Sequence, residues 1–138
     1  MNNINPVMAC ITAQASCEKI IEEAKKMSKR LATKVEVVTV QPRRMEAHKR
    51  ARDMLQLEKL AKTTNTPITI IYSEHPVDSL ASYAAKQDPI HIFTGQQSEN
   101  SSFVGKLSVM CDCPVSMVTA DSFFTIPSVR NLSSIKTG

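Results

Sequence analysis

Between residues 7 and 119 the chain keeps changing its period. Short apolar runs at 7–12, 35–40, 68–72, 90–94 and 114–119 are separated by stretches whose apolar residues recur at three- and four-residue steps. The first kind of run suits a strand and the second an amphipathic helix. Strands joined by a helix pair in parallel, because the helix carries the chain back before the next strand starts. Parallel sheets need cover on both faces. The pattern therefore predicts an α/β domain: an open five-stranded parallel sheet, four helices, and right-handed crossovers.

The helix patterns can be read residue by residue. In the first, Ile20, Ile21, Ala24, Met27 and Leu31 fall on one face. Ser16 is placed to cap it, Glu18 lies near the positive dipole end, and Glu22 and Lys26 stand one turn apart. The second, over about 45–62, groups Ala47, Ala51, Met54 and Ala61 with Leu57 on the flank. His48, Lys49, Arg52 and Lys59 share another side of it. The third follows His75-Pro76 and turns Val77, Leu80, Ala81 and Ala84 inward; the fourth covers about 102–110. Pro42, Asn65-Thr66-Pro67 and Asp88-Pro89 punctuate the series. Residues 120–138 are polar and serine-rich and read as a loose tail or linker, leaving 1–119 as the domain.

Composition narrows the function. The chain has 138 residues, enough for one domain with its own core. Its net charge is +4, with the excess around Arg43, Arg44, Lys49, Arg50 and Arg52. That stretch also carries Glu46, Asp53 and Glu58, and the chain has no tryptophan, so a solvated helix face is favoured over a nucleic-acid grip. No apolar run approaches the ~20 residues of a membrane span. No secretory leader is visible, which points to the cytoplasm, and the four cysteines read as free thiols. Cys111-Asp112-Cys113 lacks the paired C-x2-C spacing of structural zinc, and His48, His75 and His91 are scattered. No catalytic residue or metal ligand is assigned. No G-x-S-x-G elbow is present, and no carboxylate pair stands near the candidate loops to hydrolyse a nucleotide.

In sheets of this kind ligands bind beyond the carboxyl ends of the strands, where strand order reverses. The loops to watch are 12–16 and 95–105. The second has chemistry for phosphate: Gly95 for close backbone approach, hydroxyls at Ser98, Ser101 and Ser102, a helix start, then Gly105 and Lys106. A solvated loop of small residues is the other reading. The spacing is not that of a P-loop.

The order of elements, with Gly95 closing the fourth strand and Cys113-Pro114-Val115-Ser116-Met117-Val118 forming the fifth, resembles the universal stress protein family. The stretch HPVDSLASYAAKQDPIHIFTG is similar to that family's third helix and fourth strand. The resemblance implies a sheet order of 3-2-1-4-5, the adenine-nucleotide alpha-hydrolase-like fold. It implies ATP or another adenine nucleotide as ligand, and a homodimer joined through the last strand, Pro114, Val115, Ser116, Met117 and Val118. The nucleotide would meet Thr12, Ala13, Gln14 and Ser16 on the nucleoside side. Val40 and Arg43 would follow the second strand, and Gly95, Ser98, Ser101, Ser102, Gly105 and Lys106 would surround the phosphates. The chain departs from the family pattern in three places. Thr12 replaces an aspartate, Ser98 replaces the second motif glycine, and Gly105-Lys106 comes after six loop residues instead of nine. The Arg/Lys-rich connection after Val40 also resembles the universal-stress-type domain of potassium-sensor histidine kinases. Two functions stay open: a nucleotide-sensing regulatory domain without turnover, or an interaction module that regulates a sensor kinase or ion transporter.

Overall fold

The computed structural model describes residues 5–13, 16–95, 103–119 and 123–127. In chain order the elements are β1 (Val7–Ile11), α1 (Cys17–Arg30), β2 (Val35–Gln41), α2 (Ala47–Thr64), β3 (Ile68–Tyr72), α3 (Pro76–Gln87), β4 (His91–Gly95), α4 (Phe103–Cys111), β5 (Val115–Val118) and β6 (Phe123–Ile126). The sheet runs β3-β2-β1-β4-β5-β6. Its first five strands are parallel in the expected order, and β6 closes the β5 side antiparallel.

β1 is central and every one of its residues is buried. Successive side chains point to opposite faces, so one strand feeds two cores. Val7, Ala9 and Ile11 pack with Ile20, Ile21 and Ala24 of α1 and with Leu57 and Leu60 of α2. Met8 and Cys10 pack with Leu80, Ala81 and Ala84 of α3 and with Val104 and Leu107 of α4. Two layers of helices on one sheet follow directly from the continuous apolar strands.

Several local expectations need correction. The buried face of α2 is Leu57, Leu60 and Thr64, with Met54 beside it; Ala47 and Ala51 are exposed. Leucine brings far more area out of water than alanine, so the leucines set the rotation of the helix. Leu31 is the C-cap of α1 and half exposed, not part of its buried face. Ser16 is the N-cap of α1 but its side chain makes no capping bond, because it sits in helical φ/ψ instead of the extended conformation a cap needs. Lys26 pairs with Glu23, not Glu22.

The helices end without glycine. The chain has three glycines, and the left-handed residues are Ala32, Asn65, Asp88 and Asp112, each just past a helix. After α1 the Thr33 and Ala32 amides donate to the Ser28 and Lys29 carbonyls, the paired bonds that close a helix around a left-handed residue. Asn65 and Thr66 repeat this on Lys62 and Ala61 after α2.

The end of the chain departs most. Residues 120–138 were expected to be a loose tail, yet Phe123–Ile126 pairs with β5, Val115 against Ile126 through Val118 against Phe123. The Ser116 and Thr125 hydroxyls bond at 2.7 Å across this pair. The side of β5 expected to join a second copy through Pro114–Val118 is therefore taken by a strand of the same chain. Among the described residues no helix is long and apolar enough to cross a membrane.

Candidate functional site

The chain leaves β1 toward β2 and leaves β4 toward β5, so sheet order reverses between β1 and β4. Side chains on the two departing connections diverge, and a crevice opens at the strand ends. A cleft of about 600 Å³ lies there. Its floor is Cys10, Ile11 and Thr12 from β1 and its end, with Thr94 and Gly95 from β4. One wall is the first turn of α1: Ser16, Cys17, Lys19 and Ile20. The opposite wall is apolar: Val40 of β2, Val77 and Leu80 of α3, and Phe103 of α4. Val118 and Thr119 close the β5 end.

The two walls differ in chemistry. The α1 wall presents a helix N-terminus and an ammonium group, both favourable to an anion. The α3 side is apolar, with Val40, Val77, Leu80 and Phe103. Gly95 brings β4 close to α1: a Cβ there would stand 3.2 Å from Ile20 Cδ1. The Thr12 amide donates to the Cys17 sulfur at 3.4 Å, tying the end of β1 to the start of α1.

Of the residues the sequence singled out, Thr12, Ser16, Val40 and Gly95 line the cleft. Ala13 packs instead against the α1–α2 core. Gln14, Ser98, Ser101 and Ser102 lie outside the described residues. Arg43 does not line the cleft. Its amide donates to Glu74 Oε2 at 2.6 Å and its Nε to the Tyr72 carbonyl at 3.4 Å. Arg50 fixes this connection further by donating to the Pro42 and Arg43 carbonyls at 2.7 and 3.0 Å. Lys106 is also elsewhere. It pairs with Asp78 of α3 and holds that carboxyl below the usual range, which leaves it bridging α3 and α4. Gly105 is exposed on α4, and a Cβ there would meet nothing.

Lys19, Val77, Leu80 and Phe103 are cleft residues that the sequence reading missed. Lys19 stands in the first turn of α1 with Glu18 beside it, so its charge alone gave no signal. Val77 and Leu80 face inward as the pattern implied; that they reach the cleft depends on where α3 and α4 lie along the sheet, which local patterns do not define.

Gly105→Ala tests the helical placement of Gly105. Glycine in a helix costs up to about 1 kcal/mol relative to alanine. The expected result is a gain of that order in chemical denaturation. A loss of stability would contradict the open space around Gly105 on α4.

Cys10, Cys111 and Cys113 are held as thiols by burial. All four cysteines are free and buried. Burial pushes the Cys111 thiol up to about 11 and the Cys113 thiol to about 12, and raises Cys10 further. Among the described residues no group of three His, Cys, Asp or Glu side chains is placed to hold a metal ion.

No protein-family model matches the chain, and no curated protein matches it. Solved structures do. A universal stress protein from Archaeoglobus fulgidus superposes with a TM-score of 0.60 at 16% identity, covering 80% of this chain and 90% of that one. The universal stress protein from Archaeoglobus fulgidus in complex with dAMP gives 0.55 at 16%, covering 83% and 97%. A universal stress protein in complex with cAMP gives 0.58 at 15%, covering 86% and 98%. The fold is therefore that of the universal stress proteins.

Proposed function

We propose that this chain is a universal-stress-type regulatory domain that senses an adenine nucleotide without turning it over. The observation that carries the reading is the cleft at the β1/β4 reversal, polar and cationic on the α1 side and apolar on the α3 side. The base would lie against Val40, Val77 and Leu80. The phosphate would sit near the start of α1, with Lys19 as its counter-charge and Gly95 allowing close approach. Two structures of this fold contain dAMP and cAMP, which supports the class of ligand. Turnover is left out because the described lining has no carboxylate or histidine to act as general base.

The second reading is an interaction module acting on a potassium-sensing kinase or ion transporter. One observation favours it: Arg43 and Lys106, the cations expected at the phosphate, are engaged elsewhere.

The test is calorimetric titration with ATP·Mg, AMP, cyclic AMP and cyclic di-AMP, on the chain and on Gly95→Val. The variant puts a branched side chain against Ile20 on the floor of the cleft. Saturable binding that the variant loses, at an unchanged melting midpoint, supports the reading.

A further inference from the structure

The basic excess of the chain has a definite place in the fold. On α2, His48, Arg52, Leu55, Lys59 and Lys62 recur at steps of four, three, four and three residues. Such spacing puts them in one stripe along the helix. Leu57 and Leu60 take the opposite side and pack on the sheet, so the stripe points to solvent. Every residue in it is exposed, Leu55 by 66%. A helix rises about 1.5 Å per residue, so the stripe is roughly 20 Å long.

The acids that the sequence intersperses here do not neutralise it. Glu46 is the N-cap of α2 and accepts the Lys49 amide at 2.9 Å. Asp53 lies on the sheet side and accepts from Gln41 Nε2 at 3.3 Å. Glu58 is left at the margin of the stripe. Among the described residues Arg52, Lys59 and Lys62 form no ion pair, whereas Lys26 of α1 pairs with Glu23 and Lys106 of α4 with Asp78. Lys25 of α1 reaches the Thr64 carbonyl at the end of α2, and one turn on, exposed Lys29 extends the charge onto α1. The other helix layer shows no such excess. On and beside α3 and α4, Lys86 and Lys106 are matched by Asp78, Asp88 and Asp112. The charge is therefore polarised across the sheet.

We propose that the outer face of α2 docks the domain, reversibly, on an anionic lipid surface. The stripe combines what a bilayer interface takes: cations for the headgroups and an apolar side chain at the centre for the layer beneath. Arg52 and Lys59 flank Leu55 at three and four residues, so their alkyl stems can lie beside it while their charges reach the headgroups. Leu55 also argues against a nucleic-acid backbone, which gives a single leucine nothing apolar to meet, and the stripe has no aromatic ring to stack on a base. An acidic groove on a protein would admit α2 alone; a planar surface meets Lys29 of α1 as well. The attachment is peripheral, since among the described residues no helix is long and apolar enough to cross a membrane. It does not rest on what the cleft holds.

Flotation of the full chain with vesicles tests it. On vesicles of phosphatidylcholine mixed with phosphatidylglycerol the chain should bind at ~0.01 M salt and leave at ~1 M, where the screening length falls from about 30 Å to about 3 Å. On phosphatidylcholine alone it should stay free. Arg52→Gln and Lys59→Gln each remove one charge from an exposed position and should each weaken partitioning about fivefold. Lys86→Gln, exposed on α3, should not. The chain has no tryptophan, so Leu55→Trp reports this face alone, and its emission should shift to the blue on the acidic vesicles. No binding to the acidic vesicles at low salt overturns the proposal. So does binding that Arg52→Gln and Lys59→Gln together leave unchanged, or a Leu55→Trp emission that does not move. A duplex oligonucleotide held by the stripe in preference to those vesicles would assign the surface to nucleic acid and overturn it too. Nucleotide titration of the cleft is a separate measurement, so either reading can fail alone.

Discussion

Phe93→Ala should destabilise the protein by roughly 3–5 kcal/mol, the range for deleting a fully buried aromatic side chain. Phe93 is among the largest side chains sealed from solvent. It sits in β4 between β1 and β5, packed into the cluster that holds Ile20, Ile21 and Ala24 against the sheet. Its ring also stacks on His91, with centroids 4.8 Å apart. Collapse of α1 into the space is opposed by its ties to the rest of the fold: Cys17 at its start by Thr12, and Lys25 in its second half by the Thr64 carbonyl. Chemical denaturation measures the loss. A change under ~1 kcal/mol would mean that α1 can collapse onto β4, contrary to the packing described.

His91 makes stability depend on pH. It is buried in β4, bonded to the Ser116 hydroxyl at 2.7 Å and stacked on Phe93. Burial, and secondarily the charge of Arg30, lower its pKa from 6.5 to about 4. The unfolded chain therefore takes up this proton more readily than the folded one. The contribution is complete above about pH 6.5 and is lost as pH falls toward 4. A shift of this size corresponds to about 3 kcal/mol. Most of it, about 2 kcal/mol, should be lost from the unfolding free energy of the native chain between pH 7 and 4.5. His91→Gln retains a hydrogen-bonding side chain beside Ser116 but cannot titrate, so its profile should be flatter by that amount. Parallel profiles would show that the acid sensitivity belongs to another group.

The same side chains show what the sequence made legible. Strand positions followed from period and β-branching, because a strand buried on both faces has almost no freedom in composition. Strand order came from the family resemblance. Thr12, Ser16 and Gly95 were found at the cleft because topology places those strand ends at the crevice, and Val40 through the family resemblance. The misplaced residues fail for a different reason. The Arg43 and Lys106 side chains are drawn away by the Tyr72 carbonyl and Asp78, partners from other elements that no local pattern reveals. β6 was hidden because four residues in a serine-rich stretch carry too little periodicity to register. Its place is set by the open side of β5.

The central claim is that the cleft at the β1/β4 reversal holds an adenine nucleotide. Calorimetric titration of the folded chain with ATP·Mg, AMP, cyclic AMP and cyclic di-AMP, repeated on Gly95→Val, tests it most directly. The account predicts saturable binding of at least one of them, abolished in Gly95→Val without loss of fold. No heat from the folded native chain with any of the four would contradict it. So would binding that Gly95→Val leaves unchanged.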